Sequence, residues 1–243
     1  MTRRRWIADT WNDSTATLVG AQAAHLARVL RAQPGMEYDV VAGDRVRRGT
    51  IADVSEGSID FTLGEEIDAD PALPVTLLLA VFKFDRMEWA IEKTTELGIE
   101  RIVPVIARRT EKHLAQAAAA RVERWRRIAR EAAQQSRRSD LPTIEDALSL
   151  KDAVNQASGE LRLLLAERER AATLRDAIED GNAHPDATTR VRLAVGPEGG
   201  WTTEEESLFT ASGWKPVSLG PRILRAETAA IAAVSVVAAL LET

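Results

Sequence analysis

Five short runs between residues 75 and 220 decide most of what this chain can fold into. "VTLLLAVF" (75–82), "RIVPVIA" (101–107), "LRLLLAE" (161–167), "VRLAVG" (191–196) and "KPVSLG" (215–220) are nearly unbroken in apolar character. A strand with one wet face alternates apolar and polar side chains, so runs that lose the alternation belong to strands covered on both faces. Helical spacing fills the intervals, and helices are expected over 86–98, 117–137, 173–181, 203–212 and 226–241. Strand, helix and strand in alternation give an α/β layer architecture. One helix is marked at both ends. Thr202 and Thr203 each stand three residues before Glu205 and Glu206, the capping-box spacing, and Gly213 sits where a C-cap belongs.

The first seventy or so residues read differently. "EYDVVAG" (37–43), "VRRGTIADV" (46–54) and "SIDFTLG" (58–64) are short alternating segments punctuated by Gly, the pattern of a small β-barrel or sandwich, interrupted by a helix-like "AQAAHLARVL" at 21–30. The acidic stretch "EEIDADPALP" (65–74) carries two prolines and marks the change of character. Two domains are expected, 1–71 and 72–243.

Composition removes several chemistries. There is no cysteine, which excludes disulfides, thiolate nucleophiles and Cys-based zinc sites. His25, His113 and His184 lack metal-ligand spacing, so no metal is expected, and His25 is expected to pack beside Leu26 and Leu30. "MTRRRWIADTWND" places Asp9, Asn12 and Asp13 where an export signal needs apolar residues. The longest uncharged apolar run, 229–241, falls short of the ~20 residues of a membrane span. A cytoplasmic protein without membrane attachment is the expectation. The net charge of −5 argues against indiscriminate coating of nucleic acid, yet residues 105–140 hold ten Lys and Arg against four Asp and Glu. In the helix expected there, Val122, Trp125, Ala129 and Ala132 form one apolar stripe and arginines spread over the rest. Such runs are usually solvated faces; the choice of Arg over Lys favours phosphate contact.

Two loops carry the functional signal. "LAVGPEGGW" (193–201) and "LGPRILRAETAA" (219–230) each end an apolar strand in a Gly-Pro turn. Neither is G-x-G-x-x-G or a P-loop, and no G-x-S-x-G elbow occurs. Either alone reads as a tight turn; as a pair they mark the carboxyl edge of an α/β sheet, where ligands bind. Their glycines are expected to let a ligand approach the backbone, with a side chain at Gly199 obstructing it.

These blocks, with "HLARVLRAQPG" (25–35), "RMEWAIEKTTELGIERIVPVIARRT" (86–110) and "RWRRIAREAAQQSRRSDLP" (124–142), resemble in order and spacing the RsmE family of ribosomal RNA methyltransferases over almost the whole chain. The resemblance implies a SPOUT-type α/β methyltransferase domain with a trefoil knot, preceded by a small PUA-like β-barrel. It implies methyl transfer from S-adenosylmethionine to N3 of a specific uridine in small-subunit (16S) ribosomal RNA. Carried over by motif, the cofactor would lie against Leu165, Ala166, Val195, Gly196, Pro197, Gly199, Gly200, Leu219, Gly220, Ile223, Leu224, Ala226 and Ala229. Arg222 and Arg225 would stabilise charge on the uracil imide or grip the adjacent phosphate, and Glu227 would fix an arginine or act as general base. RNA contacts would fall to Arg4, Arg28, Arg31, Arg124, Arg127, Arg130 and Arg138. The expected partner is ribosomal RNA or the small ribosomal subunit. A homodimer is expected through the C-terminal helix, where Ile231, Val234, Val236, Val237, Leu240 and Leu241 occupy more than one face. A same-fold enzyme acting on ribose 2′-hydroxyls or transfer RNA, and a non-catalytic RNA-binding protein, are the alternatives.

Overall fold

The computed structural model describes residues 5–43, 45–156, 161–181 and 188–241. The chain forms two compact units, Met1–Pro71 with Ala133–Leu141, and Ala72–Ala132 with Pro142–Thr243.

The first unit contains β1 (Arg5–Ile7), β2 (Thr10–Trp11), β3 (Thr15–Val19), α1 (Gly20–Arg28), β4 (Glu37–Ala42), β5 (Arg45–Ser55) and β6 (Ser58–Ile67). Its strands form one sheet in the order β1-β4-β5-β6-β3-β2, antiparallel except for the β1–β4 pair. Register shifts between Arg47 and Gly49 and between Ile51 and Asp53 curl the long β5–β6 ribbon. The alternation of β4 to β6 sends Val40, Ile51, Ile59, Phe61 and Leu63 inward, where they meet Trp6, Leu18 and Leu26. His25 does not join this core. It is exposed, its ring centroid 6.2 Å from that of Trp6, and Leu26 takes the inward position. Arg138, expected to face phosphate, is also a correction: it is 8% exposed and its fork donates to both carboxylate oxygens of Asp140. The Ser139 hydroxyl donates to the Asp70 carbonyl at 2.7 Å, and Arg5 donates to the Arg137 carbonyl at 2.7 Å.

The second unit contains β7 (Leu73–Ala80), α2 (Phe84–Glu96), β8 (Ile99–Ile106), α3 (Lys112–Gln135, counted here through Ala132), β9 (Thr143–Ile144), β10 (Leu148–Ser149), α4 (Leu150–Asn155), β11 (Leu161–Leu165), α5 (Leu174–Gly181), β12 (Val191–Val195), α6 (Thr203–Ala211), β13 (Lys215–Val217) and α7 (Ala226–Leu241). The sheet is parallel throughout, in the order β10-β8-β7-β12-β11-β13, with β9 also on β8. In β7, Leu77 and Leu79 enter one core while Leu78 and Ala80 enter another. The first core is closed by α2, α3, α5 and α7 and the second by α4 and α6. Helix α3 begins five residues ahead of the expected 117. Leu114 and Ala118 extend the buried stripe of Val122, Trp125 and Ala129, which polar His113 and Gln116 obscured in the sequence. Helix α7 buries Ala230, Ala233, Val234, Val237 and Leu241, whereas Ile231, Val236 and Leu240 are only partly covered.

Two local arrangements make measurable predictions. Phe209 of α6 lies edge-on between Trp201 and Trp214, with centroids 4.9 and 5.1 Å away, and is fully buried. Phe209→Ala should cost about 3–5 kcal/mol in urea unfolding, and a loss below about 1 kcal/mol would show that the aromatic trio does not anchor α6. In the loop between β11 and α5, Glu169 Oε1 accepts the backbone N–H groups of Arg170, Ala171 and Ala172 at 2.8, 2.7 and 3.2 Å. These bonds hold its carboxyl below the usual range, Ala171 contributing most. A depressed folded value means stability that is present above the unfolded pKa of about 4.3 and lost as pH falls through the folded one. The melting-temperature advantage of the parent over Glu169→Gln should therefore shrink on acidification below about pH 4; a constant difference would show that the charge contributes nothing.

Candidate active site

Strands β12, β11 and β13 are neighbours and end at Val195, Leu165 and Val217. The loops that leave these three ends surround one cavity of about 380 Å³, at the carboxyl edge of a parallel sheet. All thirteen positions expected to meet the cofactor line it, as do Arg222 and Arg225.

The turn after β12 is fixed from several directions. Gly200 donates to the Pro197 carbonyl at 2.8 Å and holds φ at +68°, which a side chain would strain. Thr202 caps α6 in the expected capping box with Glu205, whose Oε1 also accepts the Arg108 N–H at 2.7 Å. Arg109 reaches across to donate to the carbonyls of Gly199 and Trp201, at 2.6 and 3.1 Å. A Cβ at Gly199 would lie 3.3 Å from Arg109 Cδ, and one at Gly196 would lie 3.2 Å from the Trp201 ring. A side chain at Gly199 would therefore press on Arg109, which lines the same cavity.

The loop after β13 has fewer supports. The Gly220 N–H donates to Ser218 Oγ at 3.0 Å with φ at +110°, and Ile223 is 78% exposed. Arg222 and Arg225 are exposed, and among the described residues neither guanidinium has a carboxylate or carbonyl partner. Glu227 is different. It does not line the cavity, is 4% exposed, and its cationic neighbour is Arg86, whose Nε lies 3.9 Å from Oε1. Glu227 Oε2 has no hydrogen-bond partner among the described residues. Arg86 Nη1 is 2.8 Å from Glu198 Oε1, and both residues line the cavity.

Sequence reasoning passed over Arg86, Arg109 and Glu198. One signal was available for Arg86, which lies in the first turn of a helix where the backbone dipole disfavours a cation, so a partner elsewhere must hold it.

The arginine-rich helix is largely paired. Arg124 grips Glu88 in a fork at 2.6 and 2.7 Å, Arg126 donates to Glu123 and Asp146, and Arg127 lies 4.0 Å from Glu131. Arg130 is half-buried. In the first unit Arg28 and Arg31 are exposed, whereas Arg4, like His184, lies outside the described residues. Among the described residues no group of three or more His, Asp or Glu could hold a metal ion, and no helix is long and apolar enough to cross a membrane.

A family model for RNA methyltransferase domains matches residues 69–238. The chain is 38% identical over 234 residues to a protein of Synechocystis sp. named ribosomal RNA small subunit methyltransferase E, spanning 95% of this chain and 75% of that one. It is 32% identical to a protein of the same name from Mycobacterium tuberculosis, spanning 96% and 90%. Its fold matches the crystal structure of ribosomal RNA small subunit methyltransferase E from Neisseria gonorrhoeae bound to S-adenosyl methionine, with a TM-score of 0.83, 28% identity, and 99% and 98% of the two chains covered. A putative methyltransferase of Legionella pneumophila, also with bound cofactor, matches at a TM-score of 0.82 and 29% identity, with 98% of each chain covered. The chain therefore belongs to the ribosomal RNA small subunit methyltransferase E family.

Proposed function

We propose that this protein is an S-adenosylmethionine-dependent ribosomal RNA methyltransferase whose target is N3 of a specific uridine in small-subunit (16S) ribosomal RNA. The observation that carries the reading is the cavity: two Gly-Pro turns wall it, and two arginines unpaired among the described residues stand at its edge. Its volume of about 380 Å³ lies within the range of small-molecule sites, and Leu165, Val195 and Leu224 give it apolar walls between backbone segments. That lining fits a flat heterocycle with a polar tail, so the cofactor is assigned to these residues. S-adenosylmethionine supplies a methyl group already activated on a sulfonium.

The remaining chemistry falls to the chain. Uracil N3 becomes nucleophilic only when its imide proton passes to a general base or to solvent and negative charge spreads between two carbonyls. Arg222 and Arg225 can donate charge-assisted hydrogen bonds to that charge as it develops. The charge-stabilising role rests on these two guanidiniums, which have no partner among the described residues, and Glu227, with Arg86 Nε 3.9 Å away, keeps its reading as the residue that fixes an arginine or as general base.

The finer architecture follows the same reading. The curled six-stranded sheet supports a PUA-like barrel over 1–71, and the placement of β12 between β7 and β11 supports a SPOUT-type knotted domain over 72–243. Arg28, Arg31 and Arg127 are exposed enough to meet RNA phosphates, and Arg124 and Arg130 would join after releasing their present contacts. Ile231, Val236 and Leu240 on the half-covered face of α7 would meet a second copy in a cytoplasmic homodimer.

The test is transfer of labelled methyl from S-adenosylmethionine to small subunits, or to their naked RNA, from cells lacking the protein, followed by nucleoside mass spectrometry. 3-Methyluridine is expected. Label on a ribose 2′-hydroxyl or on transfer RNA instead would overturn the base assignment. Within that assay Arg222→Ala should lower the single-turnover rate by ~10²–10³ at saturating RNA and cofactor, with partial recovery as rising pH ionises the imide. An unchanged rate at every pH would make Arg222 a binding residue.

A further inference from the structure

Arg86 is held by two carboxylates that come from different walls of the cavity. Glu198 belongs to the turn after β12, and its Oε1 lies 2.8 Å from Arg86 Nη1. Glu227 belongs to the first turn of α7, and its Oε1 lies 3.9 Å from Arg86 Nε. A single guanidinium on α2 thus ties together the turn that carries Gly196, Gly199 and Gly200 and the helix start that follows Arg222 and Arg225. The two contacts differ in kind: the one to Glu198 is at hydrogen-bond distance, whereas the one to Glu227 is a charge–charge approach that leaves Oε2 without a hydrogen-bond partner among the described residues. Glu227 is 4% exposed, Arg86 is its cation among the described residues, and removing one member of a buried pair leaves the other charge uncompensated. A planar fork suits a bridge between two carboxylates better than an ammonium point charge does.

We propose that Arg86 is a positioning residue: through Glu198 and Glu227 it latches the 196–200 turn to the start of α7, so that the cavity has its binding shape before the cofactor enters. The inference rests on the reading of this cavity as the cofactor site. Preorganisation of this kind acts on affinity by lowering the ordering cost of binding.

The test compares the parent with Arg86→Met, Arg86→Lys, Glu227→Gln and the double variant Arg86→Met with Glu227→Gln. Melting temperature, calorimetric affinity for S-adenosylhomocysteine and single-turnover methylation are read for each. Arg86→Met should lower the melting temperature and weaken S-adenosylhomocysteine on the order of tenfold, within the range of coupled neighbours. In the double variant the buried charge is gone, so the melting temperature should recover while the affinity does not. This separation distinguishes a latch from a merely structural ion pair. Lysine should give intermediate affinity, and the single-turnover rate should fall at subsaturating cofactor while the affinity for RNA is unmoved. Parental affinity in the folded double variant would overturn the proposal. So would a salt slope of RNA binding reduced by about one counterion in Arg86→Met, which would make Arg86 a phosphate contact. A parent that bound no S-adenosylhomocysteine would sink the cofactor reading instead. The thermal comparison would still judge the Arg86–Glu227 pair, since strictly additive losses of melting temperature would refute it.

Discussion

The constraint on which the second unit depends is that its central strands are buried on both faces. Leu77 and Leu79 face one helical layer and Leu78 and Ala80 the other, so this half of β7 offers no side chain for chemistry from the sheet surface. Function is pushed to the strand ends. Because every strand runs parallel, the carboxyl ends of β12, β11 and β13 emerge together, and the loops leaving them are obliged to be neighbours. The cavity is thus a consequence of the sheet's order, and the residues quoted for it are far apart in sequence for the same reason.

Charge shows a second division, between arginines that are spent and arginines that are not. Arg124 and Arg126 of α3 lean on Glu88, Glu123 and Asp146, and Arg121 lies 4.7 Å over the Phe84 ring. Glu123 on α3 is already netted out of the local excess of six positive charges, and Glu88 on α2 and Asp146 beside β9 answer part of the remainder. Exposed pairs of this kind are worth roughly 0–1 kcal/mol, little enough for a phosphate to displace the carboxylate. Among the described residues Arg222 and Arg225 have no such contact to surrender, which sets them apart from the more conspicuous basic helix.

What the sequence made legible follows from range. The five apolar runs are visible because two-sided burial leaves no polar residue to hide them, and the capping box at Thr202 is visible because its partners lie three residues apart. Strands β1 to β3, at three, two and five residues, are too short for alternation to register. β9, β10 and α4 are missed for the same reason. The cavity lining was legible because glycine and proline punctuate strand ends; the reason for the glycines was not. Gly196 yields to Trp201 and Gly199 to Arg109, contacts that span 5 and 90 residues. Arg138 and Asp140 are near neighbours, yet their burial depends on a fold that nothing in that stretch announces.

The cavity is unevenly built, and the unevenness assigns labour. The turn after β12 is over-determined by Arg109, by the Thr202–Glu205 box and by the edge-on contact of Trp201 with Phe209. The loop after β13 has Ser218 beneath Gly220 and then runs exposed through Ile223 to the first turn of α7. A wall that must hold a small ligand gains affinity from rigidity. The same cavity therefore joins a heavily braced wall to a more exposed one, and Arg86, 2.8 Å from Glu198 on one side and 3.9 Å from Glu227 on the other, stands where the two meet.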